Sequence, residues 1–301
     1  MTCATALSER ELVQRIDQLA SLSCVNAIVQ PLMSYLQLPF EQQDMQRIID
    51  LVSHDSSLTA QCLHMANSPL FGRSQAITSA KGAVIAIGLQ RMRDIVLSCY
   101  VLRLMPSGLT NPNPAVFWEH SLACALLARR LAKRIGVRDP EQAYLAGLLH
   151  DLGFVVNLHV APQAFLEVLR RAGNQQGDIL QVERDILGFD HCDTGALLAE
   201  RWELARPVLQ TISLHHRPTT GSEHQGLVTL ITFCDRICRH YRLGYGYAEQ
   251  SSPQTDNVDI IDSLKAEWPL ARTVDWPKLQ TELVDYVADV RKLISVLFRL
   301  Q

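Results

Sequence analysis

The sequence lacks several features that would place it in a familiar class at once. Its eight cysteines include no Cys-x-x-Cys pair, and most stand among apolar residues, which is typical of buried, reduced thiols in a cytosolic protein. The N-terminal segment has no apolar signal-peptide core, and the chain has no run of about 18 uncharged apolar residues. These absences predict a cytoplasmic protein that does not enter a membrane.

Charge of either sign is also scarce. Charged residues make up 20% of the 301-residue chain and hydrophobic residues 48%, a balance that indicates a globular rather than a disordered protein. The net charge of −3 at pH 7 argues against nucleic acid as a main partner. A chain of this length can bury one large core or two smaller ones.

The alternation of apolar and polar residues that marks a half-buried strand is almost absent, whereas helix start and stop signals are plentiful. Gly88 is placed to end one helix, Asn113 and Pro114 to begin a long one, and Gly136 to end it. Asp139 is placed to cap the next helix, which is apolar nearly all round and which Gly153 is expected to end. The sequence therefore predicts an all-α, multi-helix bundle.

That central apolar helix carries the doublet His150-Asp151 at its end. An adjacent imidazole and carboxylate offer a cation two ligands, and burying such a pair without a partner is costly. Other histidines and an aspartate stand on helical segments far apart in the chain, so only a folded bundle can bring them together. The candidate metal ligands are His120, His150, Asp151, His191, His215, His216 and Asp235.

Several of these residues also have a purely structural interpretation. His120 could be a partly exposed helix residue, His191 could bond a backbone group near a helix N-terminus, and His216 could face solvent, because helix neighbours point about 100° apart. Asp235 stands among apolar residues and needs a partner more than a surface aspartate does. Imidazole favours transition metals and carboxylates complete the shell, so the set predicts one or two Fe, Mn or Zn ions.

Further patterns accompany the doublet: Leu58-Thr59, Met65 to Gly72, Ile77 to Ala80, Ile87 to Leu89, Gly195, Trp202, and His215 to Pro218. With these patterns the chain resembles the HDOD family, relatives of the HD-domain phosphohydrolases and their HD-GYP branch, over about residues 18 to 240. The resemblance implies an all-helical fold and a role in bacterial signalling, as an output module or hub without established catalysis.

By the same resemblance, the seven candidate ligands fall where HD-GYP enzymes place theirs, but two departures matter. The enzymes follow the doublet with Gly-Lys, whereas here Phe154 follows Gly153. After the paired histidines they carry an acidic residue and a Gly-Tyr-Pro loop, whereas here Arg217-Pro218 intervenes, and the later Gly244 to Tyr247 is distant and lacks the proline. The resemblance therefore implies a retained ligand shell and lost substrate machinery.

The predicted organisation is an N-terminal helical layer over residues 1–110, an HD-like helical part over 111–242, and a loop with C-terminal helices that pack on the bundle over 243–301. In the first segment, Asn67, Ser68 and Pro69 end a helix. Phe71 is then expected to pack against the second half of the bundle, or alternatively to face a partner.

Three functions remain open. The first is a regulatory module that binds another signalling protein. The second is a metal-dependent phosphohydrolase acting on a nucleotide or cyclic dinucleotide, which would activate a bound water and clamp a phosphoryl oxygen. The third is a sensor in which oxidation or loss of the metal is the signal.

Overall fold

The computed structural model describes residues 7–21, 45–53, 56–68, 77–105, 114–174, 178–219, 221–243 and 258–297, and within these ranges it is helical without a β-strand. The predicted all-α fold is confirmed. A short 3₁₀ helix covers Pro269–Thr273. The α-helices in chain order are Glu9–Ala20 (α1), Met45–Ser53 (α2), Ser56–Ala66 (α3), Ala80–Ile87 (α4), Leu89–Arg103 (α5), Pro114–Ile135 (α6), Pro140–Leu149 (α7), Leu152–Val160 (α8), Pro162–Asn174 (α9), Ile179–Leu187 (α10), His191–Arg201 (α11), Arg206–Leu214 (α12), Gln225–His240 (α13), Val258–Glu267 (α14) and Trp276–Leu297 (α15).

The chain forms two compact units, and each takes residues from separate parts of the sequence. The first contains residues 1–26 and 105–274, and the second contains residues 27–104 and 275–301. In the second unit α3 packs against α5, and α15 also contacts α3. Helices distant in sequence therefore share one core within this unit.

Local capping signals set the helix ends of the second unit. The Ser79 hydroxyl accepts a hydrogen bond from the Gly82 backbone N–H at 3.0 Å and begins α4, while Gly88, at a φ of 89°, ends it as predicted. The Asn67 side chain accepts from the Ile77 N–H at 2.7 Å and donates to the Ile77 carbonyl at 2.9 Å. Asn67 thus holds the end of α3 to the segment before α4.

The first unit is built around α6 and α7, which pack closely along their lengths. Asp139 caps α7 as predicted, because its side chain accepts from the Glu141 and Gln142 N–H groups at 3.1 Å. A Cβ atom on Gly147 would lie 2.9 Å from the Ala125 Cα. The glycine therefore permits the close approach of these two helices.

The prediction that Gly153 ends α7 was wrong. That helix ends at Leu149, and Gly153 lies in the first turn of α8. A Cβ atom at Gly153 would lie 1.8 Å from the His191 carbonyl oxygen, a distance that no side chain permits. Glycine is required at this position because the backbones of α8 and α11 are in contact there. The sequence could not show this, because the two segments are distant in the chain and meet only in the folded protein.

The stretch Pro140–Val160 has the length and apolar composition that could cross a membrane, and 89% of its most apolar part is buried inside the protein. Cysteines in the described ranges are free and buried: Cys62, Cys99, Cys124, Cys192, Cys234 and Cys238. The expectations for Phe71, for Asn113 as a cap and for the segment Gly244 to Tyr247 concern residues outside the described ranges.

Candidate metal site

The structure brings all seven candidate ligands together in the first unit. His120 lies on α6, Asp235 on α13, His191 is the first residue of α11, and the remaining four lie where α7 meets α8 and where α12 ends. The four side chains of His120, His150, His191 and His215 are fully buried, and Asp151 and Asp235 are 3% and 2% exposed. His216 is half-buried. The site is thus closed to solvent at six of its seven residues.

Asp151 lies at the centre, with each carboxylate oxygen facing different histidines. Its Oδ2 atom lies 3.1 Å from His150 Nε2 and 3.4 Å from His120 Nε2. Its Oδ1 atom lies 3.2 Å from His215 Nε2 and 3.5 Å from His191 Nε2. One carboxylate therefore separates two groups of ligand atoms. Each group is compact enough to hold a metal ion: Asp151, His191, His215 and His216 in one, and His120, His150 and Asp235 in the other.

The other nitrogen of each buried histidine ring is held by an oxygen atom that only accepts hydrogen bonds. His120 Nδ1 lies 2.8 Å from the Leu243 carbonyl, and His150 Nδ1 lies 2.8 Å from the Gly147 carbonyl. His215 Nδ1 lies 3.1 Å from a carbonyl on α12. In each case Nδ1 must carry the proton, so the Nε2 atom of the neutral ring presents a lone pair to the cluster.

The Nε2 atoms of these rings approach one another closely. His120 Nε2 and His150 Nε2 are 3.3 Å apart, and His191 Nε2 lies 3.4 Å from His215 Nε2 and 3.1 Å from His216 Nε2. Both Asp151 oxygens are buried, and among the described residues no donor meets them in hydrogen-bond geometry. Such a convergence of acceptors requires positive charge at its centre, from added protons or from a cation. The donor set therefore fits a transition metal ion.

Without a metal ion, protons supply part of that charge. Burial by itself lowers the pKa of His150, but the Asp151 carboxylate beside it raises the pKa to about 10. Burial likewise works against ionisation of Asp151, and the charge on His150 outweighs it, so the pKa of Asp151 falls well below its ordinary value. For His216, burial and the charge of His215 together lower the pKa well below its ordinary value.

A buried carboxylate that the sequence reasoning missed supports His191. Glu183 Oε2 lies 2.6 Å from His191 Nδ1 and accepts from the His191 backbone N–H at 3.1 Å. Its other oxygen accepts from Asn157 Nδ2 at 3.1 Å, and the Asn157 amide oxygen accepts from the Thr194 hydroxyl at 2.8 Å. Glu183 shares the buried face of α10 with Ile179, Leu180 and Leu187, a pattern that could have revealed it.

Arg239 is the second residue that the sequence reasoning missed. Its Nε donates to Asp235 Oδ1 at 2.7 Å, and its Nη2 contacts Asp235 Oδ2 and lies 3.3 Å from His216 Nε2. The sequence does hold a signal for it, because Arg239 stands one helical turn after Asp235. Arg217, which follows the paired histidines in the sequence, is exposed.

Phe154 is fully buried and lies flat against the ring of His191, with ring centroids 4.3 Å apart and an interplanar angle of 17°. This is the position where the resemblance to the HD-GYP enzymes would place a lysine. An apolar ring therefore covers one face of a candidate ligand, where those enzymes would have a cation.

Two solved structures have folds similar to that of this chain. An HDOD domain protein of unknown function from Geobacter sulfurreducens superposes with a TM-score of 0.79 at 27% identity, over 95% of this chain and 99% of that one. A protein from Shewanella amazonensis SB2B, whose name assigns it provisionally to the phosphohydrolases, superposes with a TM-score of 0.72 at 22% identity, over 95% and 98% of the two chains.

Among curated proteins, an uncharacterized protein from Treponema pallidum (strain Nichols) is 29% identical over 210 residues, or 68% of this chain. The chain spans about two fifths of the length of the curated relatives it matches, 40% in this case. The family model of the HDOD domain matches residues 22–218, so Asp235 and Arg239 reach the site from outside the matched segment. Because the match covers more than half of the sequence, this chain belongs to the HDOD family.

Proposed function

We propose that this chain is a bacterial signalling module of the HDOD family, without catalytic activity, that acts by binding another regulatory protein. In this proposal a metal centre at His120, His150, Asp151, His191, His215, His216 and Asp235 braces the helices of the first unit. The ion is a divalent transition metal, which the histidine-rich donor set favours. The protein works in the cytoplasm.

The observation that carries this proposal is the burial of the site. His120, His150, His191 and His215 have no exposed surface, and Asp151 has 3%. A hydrolase must admit a phosphate ester and a water molecule to its metal ions, whereas a structural centre gains stability from being closed. Helices from five separate segments meet at these residues, so an ion held there would tie the unit together.

A module without catalytic activity also has no need of a lysine at the position of Phe154. Phosphodiester cleavage needs stabilisation of the leaving oxygen in addition to an activated water. Phe154 packs on His191 between other aromatic rings, 5.9 Å from Phe117 and 5.5 Å from Phe165 by ring centroids. Such a ring adds packing energy to the core and supplies no charge to a substrate.

The alternative function is a metal-dependent phosphohydrolase, and the completeness of the donor set favours it. When bound, a divalent metal supplies an activated water and neutralises phosphate charge. Arg239 is a guanidinium at the rim of the cluster, and a guanidinium can engage a phosphate at two points. The Shewanella amazonensis neighbour with a phosphohydrolase name has the same fold, which makes the alternative worth an assay.

A turnover assay separates the two functions. Metal-loaded protein is incubated with a panel of cyclic and linear nucleotides, beside the Asp151→Ala variant. We expect no useful turnover by either protein, together with a higher melting temperature for the metal-loaded wild type than for its metal-free form. Clear turnover that disappears in the Asp151→Ala variant would refute the module and establish the enzyme.

The partner interaction needs its own measurement. Wild-type protein and the Asp151→Ala variant are used as matched baits against extract of the source bacterium, and each captured protein is then purified and titrated against both baits. We expect a partner that binds wild type at least tenfold more tightly, because the variant loses the brace that orders the first unit. A partner that binds both equally would show that the metal centre has no part in the interaction.

A further inference from the structure

Arg239 lies in the candidate metal site although a guanidinium does not bind metal ions. It lies on α13 one turn after Asp235, and its guanidinium contacts both oxygens of that carboxylate. The same guanidinium reaches His216 Nε2 at 3.3 Å, and that nitrogen is also 3.1 Å from His191 Nε2. Arg239 therefore bridges the two ligand groups.

Arg239 contacts one member of each ligand group. Asp235 belongs to the group with His120 and His150, and His216 belongs to the group with His191, His215 and Asp151. A guanidinium keeps its proton under all ordinary conditions, so it engages the Asp235 oxygens and the His216 lone pair whenever it is in place. A neutral imidazole has a single lone pair, so the contact with Arg239 occupies that of His216, whereas the Asp235 carboxylate keeps lone pairs and its Oδ1 lies 3.0 Å from His120 Nε2.

The formal charges of the buried groups point to the same arrangement. Asp151, Asp235 and Glu183 contribute three negative charges, and the four buried histidines are neutral when their Nε2 atoms bind metal. Arg239 contributes one positive charge, so one divalent ion brings these groups to neutrality. A second divalent ion would leave two uncompensated positive charges in a buried site, which is costly.

We infer that Arg239 takes the place of a second cation, so that the metal centre of this chain holds a single divalent ion. This inference rests on the proposed metal site and makes it more specific. A second ion beside His191 and His215 would need the His216 lone pair, which Arg239 engages, so His216 serves the single-ion centre through Arg239 and Asp235 remains a ligand. The side chain of Arg239 is 9% exposed, so water competes little with these contacts.

The test counts metal ions per folded chain. Wild type, Arg239→Gln and Arg239→Lys are freed of metal, reconstituted with excess Mn²⁺ or Zn²⁺, desalted and measured by elemental analysis. Arg239→Gln removes the charge, whereas Arg239→Lys keeps it. A matched control is Arg170→Gln, because Arg170 is 63% exposed on α9 and pairs only at the surface with Glu167.

We expect one ion per chain in wild type, Arg239→Lys and Arg170→Gln, and two in Arg239→Gln. The Mn²⁺ form of Arg239→Gln should also give the electron paramagnetic resonance signal of two coupled ions, which wild type should not give. This signal does not depend on any enzymatic activity. It also distinguishes a second ion in the cluster from one bound elsewhere on the surface.

Two ions in wild type, or one ion in folded Arg239→Gln, would overturn the inference and leave the metal-braced module standing. No bound ion in any of the proteins would overturn the inference and the metal site together. If Arg239→Gln fails to fold, as judged by circular dichroism, the Arg239→Met variant provides the same loss of charge with a side chain suited to a buried position. The wild-type count remains decisive in either case, because two ions in wild type contradict the inference by themselves.

Discussion

Glu183 contacts His191 twice, through the ring at 2.6 Å from Nδ1 and through the backbone N–H at 3.1 Å. Both residues are fully buried, so neither contact is shared with solvent. The double contact fixes the ring so that Nε2 points at Asp151, and it sets which nitrogen carries the proton.

Replacing Glu183 should therefore weaken metal binding. The Glu183→Ala variant removes the acceptor that orients His191, and we expect the metal affinity to fall about 10- to 100-fold. Competition with a chromophoric chelator measures this change. The control is Asp185→Asn, because Asp185 is exposed on the same helix. Equal affinities for the two variants would show that Glu183 supports the fold without positioning the ligand.

Asp151 should be the residue whose loss abolishes metal binding most completely. The Asp151→Asn variant keeps the shape but removes the charge that faces four Nε2 atoms. We expect well under one ion per chain after reconstitution, as measured by elemental analysis. We also expect the metal-free variant to be less stable to denaturant, because the buried pair of Asp151 and His150 is lost and burial then lowers the pKa of His150, so that the ring gives up its proton. The exposed Asp262→Asn serves as the control, and metal retained by Asp151→Asn would contradict the central role of Asp151.

Metal binding should release protons and strengthen as the pH rises. The pKa of His150 in the metal-free protein is about 10, because the Asp151 charge outweighs the effect of burial, so His150 carries a proton at pH 7. A ligand must be neutral, so the metal displaces that proton, and lowering the pH favours the protonated, metal-free form. Calorimetric titration in two buffers of different ionisation enthalpy gives the number of protons released. Zero release at pH 7 would mean that His150 is already neutral or is no ligand.

The contact at Gly153 should make it intolerant of any side chain. Gly153→Ala places a Cβ atom where the His191 carbonyl oxygen lies, and backbone on both sides leaves no flexible group to move away. We expect a loss of about 3 kcal/mol in the free energy of unfolding, measured by denaturant titration.

The matched control is Gly173→Ala, because Gly173 is also helical and a Cβ atom there would meet nothing within 4 Å. That variant should gain roughly 0.5 kcal/mol from the better helix propensity of alanine. A similar effect of the two substitutions would contradict the close approach of α8 and α11.

The sequence by itself determined the helix ends that depend on local contacts. Gly88 and Asp139 were identified correctly because each acts on groups no more than four residues away. The all-α class followed from the same signals. The seven candidate ligands could also be named, because polar residues such as Asp235 are conspicuous on apolar helices and because the chain resembles a known family. The expectation for Phe71 stays a prediction, since that residue lies outside the described ranges.

Only the tertiary structure decided what surrounds those ligands. Glu183 and His191 are on different helices, and nothing within four residues of either one indicates their contact. The sequence predicted that Gly153 ends a helix, but Gly153 lies in the first turn of the next helix and its Cα faces the His191 backbone. Arg239 could be paired with Asp235 from their spacing, but its reach to His216 depends on how α13 lies beside α12. Helix caps are set by contacts within about four residues, whereas the environment of a buried site is set by segments that meet only after the chain has folded.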